Sequence, residues 1–366
     1  MIVNSHTRIS ASESPILYIV FDDHNKSIHR SQIVMKFRCC LLPHWIRVLA
    51  SSVSIAIVVG CGGSADAFQT VFPSALREVN GERSFVFLSD TQSPLWFEKI
   101  WLKADDNESA TQQILASIAH DSTVVALFHL GDFTALGSFS LYWEGFDEKA
   151  STVRSAGVPI FPAFGNHDYL PFASYGRANL VKRFPSMDTS WYIRHIGNIG
   201  VVILNSNFSH LTDAEVGEQQ QWYEAALHRL DRDSSVALTI VACHHSPYTN
   251  SQVISPSSDV QRVVVPPFIR SRKAKVFISG HAHAFEHFRT SGKDFLVIGG
   301  GGGLLHPLLQ RDERRWPDYY PHQSTRSFFH YLRCTTSADS LSMQVFRLMP
   351  ERGSFDTAYT LRVGLK

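Results

Sequence analysis

Residues 124–132 read VVALFHLGD and residues 158–168 read VPIFPAFGNHD, and a helix-like stretch at about 140–156 separates them. Each of these apolar runs has the length of a strand and ends in a polar cluster. The same rhythm precedes them, with SFVFLSD at 84–90 and a helix-like stretch at 107–120. Strands that alternate with helices in this way predict βαβ units and therefore an α/β domain.

The second half of the chain continues this alternation and then changes. WYIRH and GVVILNSN are typical of paired strands, 213–231 of a helix, and VALTIVACHH and KVFISGHAH of strands that end in histidines. The late runs FLVIGG, FFHYLRCTT and LSMQVFRL come without helices between them, which predicts a second sheet packed on the first. We therefore expect two packed mixed β-sheets flanked by helices.

Nearly all of the polar residues that directly follow an apolar strand fall in five short blocks. In open α/β sheets, ligands bind outside the carboxyl ends of the strands, so we expect these residues to converge on one rim. Their order and spacing carry the signal, because each block alone is common. The blocks are SDTQ at 89–92, GDFTALG at 131–137, GNHD at 165–168, CHHSPY at 243–248 and GHAHAFEH at 280–287.

The composition excludes several classes of protein. Of the 366 residues, 44% are hydrophobic and 18% are charged, so the chain is not of the disordered class. The formal net charge of +1 gives no electrostatic argument for nucleic acid, and we expect no such partner. Histidine, the commonest metal ligand, is unusually frequent at 18. The five cysteines form no CxxC pair, which argues against a zinc ribbon or a thioredoxin-type motif.

Taken in order, the five blocks resemble the calcineurin-like metallophosphoesterase superfamily over about Phe85 to Gly303. HSPY at 245–248 and GHAHAFEH at 280–287 look like blocks of the purple acid phosphatases within it. The resemblance implies a four-layer α/β/β/α sandwich that hydrolyses a phosphomonoester or a phosphodiester. It also implies two divalent metal ions, of Mn, Fe or Zn, with a hydroxide bridging the two as nucleophile.

The resemblance also implies roles for single residues. Asp132 would bridge both ions, His167 would protonate the leaving oxygen, and Asp168 would fix the tautomer of His167 and raise its basicity. Side chains at i and i+2 of an extended segment point the same way, so the two histidines of GHAH can serve one ion each. The implied ligands are Asp90 and His283 for the first ion, and Asn166, His245 and His281 for the second.

Two positions depart from the family pattern. Gln92 stands where the superfamily usually has a histidine, two residues after Asp90. Its carbonyl is a weaker and harder candidate ligand, which favours Mn or Mg over Zn. The same Asp-x-Gln occurs in the branch that resembles manganese-dependent ADP-ribose/CDP-alcohol pyrophosphatases. Ala135 stands where purple acid phosphatases place a tyrosine, so a purple ferric site is not expected.

His244 and His245 compete for one ligand position. The spacing to Pro247 favours His245, and His244 would then pack at the end of its strand or behind the ligands. Other histidines near the blocks are expected to be structural or to line the pocket, namely His287, His306, His322 and His330.

Three further features complete the picture beyond the blocks. Gly299–Gly303 lacks the GKS/T of a P-loop and is expected to be a loop that passes near the metals. Residues 304–325 are long and aromatic, which is typical of a flap that selects substrates. Cys243 is expected to be a core thiol, and a Cys243–Cys334 disulfide stays open because sequence does not place the two within reach.

The front of the chain has the pattern of an export signal. Lys36, Arg38 and Arg47 precede residues 48–60, a thirteen-residue stretch without charge that is too short to span a bilayer. Its end, Val58 to Cys61, resembles a bacterial lipobox, and the alternative is a buried strand followed by a core cysteine. Lipid on Cys61 would hold an exported protein on the membrane of the cell envelope, facing the periplasm or the cell surface.

The expected division of the chain follows from this pattern. It comprises a leader at 1–60 with Met35 as the alternative start and the lipoprotein signal peptide at 35–60, a tether at 61–80, and a metallophosphoesterase catalytic domain at 81–366. The leading functional hypothesis is a phosphoesterase whose substrate is a small-molecule or lipid-linked phosphate ester. The alternatives are a catalytically decayed surface binding protein, with Gln92 as the sign of decay, and a structural zinc site.

Overall fold

The computed structural model describes residues 70–95, 107–184, 187, 189–320 and 327–365. The predicted leader, its signal peptide, Cys61 and residues 61–69 of the predicted tether lie outside these ranges, as does His322. Within the described ranges, no helix is both long enough and apolar enough to cross a membrane.

Strands and helices alternate in the first half of the described chain, as the sequence predicts. The strands are β1 (Ser84–Leu88), β2 (Val124–His129), β3 (Ile160–Pro162), β4 (Tyr192–Ile196), β5 (Ile199–Ile203), β6 (Leu238–Cys243), β7 (Ala274–Ser279), β8 (Phe285–Thr290), β9 (Lys293–Ile298), β10 (His330–Thr336), β11 (Ser340–Met349) and β12 (Ser354–Gly364). The helices are α1 (Asn107–His120), α2 (Ser140–Lys149), α3 (Ser151–Ser155), α4 (Asn166–Tyr169), α5 (Ala173–Arg183), α6 (Asp213–Arg232) and α7 (Val265–Arg270).

The strands form two six-stranded mixed sheets. The first has the order β12-β11-β10-β1-β2-β3, in which β1, β2 and β3 are parallel and β10, β11 and β12 are antiparallel. The second has the order β4-β5-β6-β7-β9-β8, with a parallel centre from β5 to β9 and antiparallel edges. The predicted fold, two mixed sheets flanked by helices, is confirmed.

The alternation of side chains along β5 shows how the layers pack. Val201 and Ile203 belong to the apolar core shared with the first sheet, whereas Val202 belongs to a second core with α6 and α7. Tyr223 of α6 and Phe268 of α7 fill that second core. Successive residues of a strand face opposite ways, so a strand that is apolar on both faces must be buried between two layers.

The late strands do not all join the second sheet, contrary to the sequence-based expectation. β8 and β9 complete the sheet that β4 to β7 begin, whereas β10 to β12 extend the first sheet from the free side of β1. β10 pairs with β1 in antiparallel register, with Phe85 opposite Cys334. The sheet that each late strand joins depends on long-range pairing, which the absence of intervening helices does not reveal.

Residues 70–80 of the predicted tether pack against the domain. Phe72 is 4% exposed, and its ring lies 5.2 Å from that of Phe184 between centroids. The backbone N–H of Phe72 donates to Arg183 O at 3.1 Å, and that of Arg77 donates to Val125 O at 3.0 Å. Burial of a phenylalanine ring stabilises the fold by about 2 kcal/mol, which fixes this segment on the surface.

The two cysteines of the domain lie in different sheets. Cys243 is the last residue of β6 in the second sheet, and Cys334 lies in β10 of the first. Both are buried free thiols, so the open question of a disulfide between them is answered against pairing in this structure. Burial raises the pKa of the Cys243 thiol to about 12, which makes it an inert core residue.

Candidate metal centre

Three residues at the carboxyl ends of the strands have a left-handed backbone. Asp90, Asp132 and His281 have φ angles of 62°, 55° and 65°, a region that costs a residue with a side chain about 1 kcal/mol or more. Each follows the end of a parallel strand by two or three residues. Backbone bonds between neighbouring turns hold the conformation, as in Thr91 N–H to Asp132 O at 3.0 Å. Strain that clusters at one rim indicates a functional site rather than ordinary packing.

Asp90, Gln92 and His283, which we call the first half-site, lie together and are almost completely buried. Nε2 of His283 is 3.4 Å from Oδ1 of Asp90 and 3.2 Å from the side-chain nitrogen of Gln92. Nδ1 of His283 lies 2.7 Å from the carbonyl oxygen of Leu304. Because a carbonyl only accepts, Nδ1 must carry a hydrogen, and Nε2 is the ring nitrogen that faces the carboxylate.

Asn166, His244 and His281, the second half-site, converge in the same way. Nε2 of His244 lies 3.0 Å from Oδ1 of Asn166 and 3.2 Å from Nδ1 of His281. Nδ1 of His244 donates to Leu130 O at 2.9 Å, so Nε2 is the ring nitrogen that faces the second half-site. Acceptor atoms this close repel one another unless they share a proton or a cation.

Asp132 joins the two half-sites. Its Oδ2 lies 3.3 Å from the side-chain nitrogen of Gln92 and 3.4 Å from Nε2 of His244. Its Oδ1 accepts the backbone N–H of His167 at 2.8 Å. One carboxylate therefore contacts both groups, which is the position that the resemblance implies for a bridging ligand.

Burial and charge act against each other at this centre. Burial alone would raise the pKa of Asp132, but His244 and His167 hold it well below its usual range, so the carboxylate is charged. Burial would lower the pKa of His244, yet Asp132 raises it to about 9. Burial and the neighbouring histidines keep the pKa of His281 well below its usual value, so its imidazole is neutral. The buried carboxylate of Asp132 therefore attracts positive charge, which the proton of His244 supplies in the absence of a cation.

The structure brings both His244 and His245 to the rim, and their contacts differ. His244 is fully buried and directs Nε2 at Asn166 and His281, whereas Nδ1 of His245 is hydrogen-bonded to Ser206 Oγ at 2.9 Å. Spacing to Pro247 could not separate the two, because adjacent residues at a strand end point to opposite sides and the local turn decides which side faces the rim. His245 is nevertheless near, since its ring nitrogen lies within 4.8 Å of those of His244 and His281.

Asp168 does not have the role that was expected of it. Its carboxylate accepts three backbone N–H groups, those of Asp132, Phe133 and Gly165, at 2.8–3.0 Å. The ring of His167 instead places Nδ1 2.9 Å from Ala135 O, which fixes its tautomer. Asp168 therefore ties together the turns that carry Asp132 and Asn166, and a backbone carbonyl orients His167.

The glycine loop lies against the first half-site, as expected. The backbone N–H of Gly303 donates to Asp90 O at 2.8 Å. A Cβ atom on Gly303 would lie only 2.5 Å from Cε1 of His283, so no larger residue fits there without moving the ring. Asn107 Nδ2 holds the loop by donating to Gly302 O at 2.7 Å and to Gly303 O at 2.9 Å.

The described part of the predicted flap, residues 304–320, is bonded to the loop after β6. Arg315 donates to Thr249 O at 3.0 Å and to Ser251 O at 2.9 Å, and Asn250 Nδ2 donates to Trp316 O at 3.0 Å. His306, expected to be structural or pocket-lining, stacks on His283 with ring centroids 4.2 Å apart. This segment forms a wall beside the first half-site.

The donor atoms present fit divalent metal ions. They are two carboxylates, imidazoles and amide oxygens without a thiolate, a set that suits Mn, Fe or Zn. Oε1 of Gln92 is buried and has no hydrogen-bond partner among the described residues, which is costly unless an ion or a water completes it. Within the described ranges, two groups of side chains have converging ligand atoms, Asp90-Asp132-His283 and His244-His245-His281.

Ser206 is a site residue that the sequence analysis did not single out. Its Oγ accepts the backbone N–H of His245 and also contacts the ring of His245, both at 2.9 Å. The signal was present, since Ser206 follows the apolar run of β5 just as the five blocks follow theirs.

Comparison with known proteins places this site in a family. A model of the calcineurin-like phosphoesterases matches residues 83–285, more than half of the chain. The chain is similar to purple acid phosphatase 22 of Arabidopsis thaliana, with 22% identity over 278 residues that cover 71% of this chain and 58% of the relative. It therefore spans less than two thirds of the length of that curated relative.

Two solved structures share the fold across 78% of this chain. One is a dimetal phosphatase from Danio rerio, with a TM-score of 0.55, 14% identity and 100% of that chain covered. The other is GAP50, the anchor in the inner membrane complex of Plasmodium, with a TM-score of 0.58, 12% identity and 89% of that chain covered. At these identities the likeness shows the fold alone, and one fold serves different roles. The family match rests instead on the matched sequence that carries the rim residues, and the chain belongs to the calcineurin-like phosphoesterase family.

Proposed function

We propose that the protein hydrolyses phosphate esters with the help of two divalent metal ions, one at each half-site and both in contact with Asp132. The observation that carries this proposal is the position of the Asp132 carboxylate, within 3.4 Å of a donor from each half-site. A structural zinc site would instead be a single closed tetrad of ligands. The proposed ligands are Asp90, Gln92 and His283 for one ion, Asn166, His244 and His281 for the other, and Asp132 for both.

The charges at the rim suit an anionic substrate. Two divalent ions together with the carboxylates of Asp90 and Asp132 leave the centre at about +2, which attracts a phosphate group. When bound, such ions neutralise phosphate charge and supply a hydroxide nucleophile at neutral pH. The chain itself contributes the donor geometry and the turns that fix it.

His167 is placed to protonate the leaving oxygen. Its Nδ1 is bonded to Ala135 O and its backbone N–H to Asp132, so Nε2 remains for the substrate. The ring is half-buried beside Asn166, at the opening of the site. A general acid in this position contributes about 10²–10⁴-fold to the rate when the leaving group is a poor one.

The decisive experiment is hydrolysis by the purified protein, with p-nitrophenyl phosphate, its bis ester and a panel of alkyl phosphates and pyrophosphates. We expect turnover with Mn, Fe or Zn that chelation abolishes and metal restores. His167→Ala should slow the alkyl phosphates by about 10²-fold or more and p-nitrophenyl phosphate far less, because p-nitrophenolate leaves without a proton. Bound metal without turnover would support the decayed binding protein, and one tightly held zinc per chain would support the structural site.

We also propose that the protein is exported and anchored by lipid on Cys61, which would bring lipid-linked phosphate esters within reach of the site. The support is the basic start, the short apolar stretch and the lipobox-like end of the leader. Cys61→Ser should move the protein from the membrane fraction to the soluble fraction of the cells. Unchanged fractionation would contradict the anchor and leave the proposed chemistry untouched.

A further inference from the structure

The two adjacent histidines at the end of β6 use opposite ring nitrogens for their supporting hydrogen bonds. His244 places Nδ1 against Leu130 O, a carbonyl that can only accept, so this Nδ1 carries the ring hydrogen. Its Nε2 is the ring nitrogen left to bind an ion, and that atom lies among the donors of the second half-site. His244 therefore has the tautomer that a metal ligand requires.

His245 is supported by a hydroxyl instead of a carbonyl. Ser206 Oγ lies 2.9 Å from Nδ1 of His245 and accepts the backbone N–H of the same residue at 2.9 Å. With one donor already directed at its oxygen, the hydroxyl hydrogen of Ser206 is available to Nδ1. When the Ser206 hydroxyl donates to Nδ1, the ring hydrogen of His245 lies on Nε2, which makes that atom a donor and not a ligand.

Exposure separates the two rings in the same direction. His244 is fully buried, whereas His245 is partly exposed, like Asn166, His167 and His281 at the opening of the site. The ring of His245 packs beside His281 with centroids 4.5 Å apart. A group that contacts substrate has to reach the opening, and a group that only holds an ion does not.

We infer that His245 is a substrate-binding residue, which donates a hydrogen bond from Nε2 to an oxygen of the bound phosphate, and that Ser206 is the residue that positions it. The inference rests on the proposed function and replaces the ligand role that the sequence suggested for His245. Two hydrogen bonds to one hydroxyl already fix the orientation of the neutral His245 ring. The ring therefore loses little orientational freedom when phosphate binds, and its hydrogen bond is also made in the transition state. It would select phosphoryl oxygens beside the second half-site.

The test separates metal binding from phosphate binding in the full-length protein loaded with Zn. His245→Met removes the donor, whereas His245→Gln keeps an amide donor near the position of Nε2. We expect both variants to retain two ions per chain by elemental analysis. Inhibition by inorganic phosphate should weaken about 10-fold or more in the Met variant and about 3-fold or less in the Gln variant. His244→Met is the matched comparison and should lose one ion.

Ser206→Ala and Ser206→Thr examine the positioning role. The alanine variant should weaken phosphate inhibition about 3-fold with metal content unchanged, and the threonine variant, which keeps the hydroxyl, should behave as the wild type. Nitrogen NMR of the Zn-loaded protein should show the hydrogen of His245 on Nε2 and that of His244 on Nδ1.

Three outcomes would overturn the inference. They are loss of one ion in His245→Met, phosphate inhibition that is equal in His245→Met and the wild type, and a hydrogen on Nδ1 of His245. Failure of the proposed function looks different, because the wild type itself would then bind neither two ions nor inorganic phosphate, and both proposals would be abandoned together.

Discussion

The two half-sites differ in burial and in charge although they share Asp132. In the first, Asp90, Gln92 and His283 are all less than 10% exposed, and Asp90 brings a carboxylate of its own. In the second, Asn166 and His281 are partly exposed, and no donor other than Asp132 is a carboxylate. One half is closed and has a carboxylate of its own, and the other is open and has none besides the shared Asp132.

This difference indicates a division of labour between the two positions. Ligand charge and rigidity set metal affinity, so the first half-site should hold its ion more tightly. The second is open to solvent, so its ion should exchange more readily and should be the one that faces the substrate. The open half also has His167 and His245 at its edge, whereas the glycine loop and the segment 304–320, with His306, lie beside the closed half.

The largest effect is expected from Asp132→Asn, which removes the anion shared by both halves. The neutral amide of asparagine should weaken the binding of both ions and lower kcat/KM by about 10³-fold or more. Metal content and hydrolysis rate measure this together. Asp121→Asn is the matched control, because Asp121 pairs with Arg333 on another part of the domain and should leave both quantities unchanged. Loss of only one ion would show that Asp132 belongs to one half-site alone.

A smaller and one-sided effect is expected from Gly303→Ala. The added methyl group would lie 2.5 Å from the ring of His283, so the ring must shift. A change in the groups that support a metal ligand lowers metal affinity by about 10-fold or more. Because His283 belongs to the first half-site, only the ion there should be bound more weakly. Titration of the two ions by calorimetry would show it. Gly217→Ala is the control, since a Cβ atom there meets nothing within 4 Å.

Gln92→His examines the departure from the family pattern within the closed half. An imidazole in place of the amide should shift the preference of the first half-site from Mn toward Zn, because nitrogen is the softer donor. Gln92→Ala should weaken binding at the first half-site for both Mn and Zn. Competition between Mn and Zn, read by elemental analysis, measures the shift. An unchanged preference in both variants would remove Gln92 from the ligands.

The smallest effect concerns stability behind the open half. Glu286 accepts Thr249 Oγ1 at 2.5 Å and Asn250 N–H at 2.7 Å, which secures the loop after His244 and His245. Burial raises its pKa from 4.5 to about 8, so the folded chain binds more protons than the unfolded chain between these values. Its contribution to the free energy of unfolding therefore falls as pH rises across this window, by up to about 1.4 kcal/mol per pH unit.

Glu286→Gln removes this titration. Between pH 5 and pH 8, the free energy of unfolding of the variant should rise relative to that of the wild type. Urea denaturation at several pH values measures the difference. Both proteins share every other titrating group. If their free energies of unfolding change with pH in parallel, Glu286 is charged in the folded protein over the whole range from pH 5 to pH 8.

Much of the fold could be predicted from hydrophobic periodicity. The helix expected at 213–231 is α6, Asp213–Arg232, and its start is marked by a capping box between Thr212 and Glu215. The stretch expected at 140–156 is divided at Ala150 into α2 and α3. Local pattern decides such elements because the side chains that define them are near neighbours in sequence.

The rim was also predictable as a place, because polar residues after parallel strands must meet at one edge. The roles of neighbouring residues at the rim were not. His244 and His245 have the same chemistry and adjacent positions, and only the contacts with Leu130 and Ser206 separate them. Asp168 was paired with the wrong partner for the same reason, since backbone N–H groups leave no mark in the sequence.

The sequence by itself determined the order of strands and helices, the polar blocks at strand ends and the family to which they are similar. These follow from side-chain periodicity and spacing, which are properties of short segments. Only the tertiary structure decided which sheet β10 to β12 join, which histidine turns inward and what each ring nitrogen contacts. Those outcomes depend on atoms that are distant along the chain and on backbone groups that every residue shares, so no local pattern encodes them.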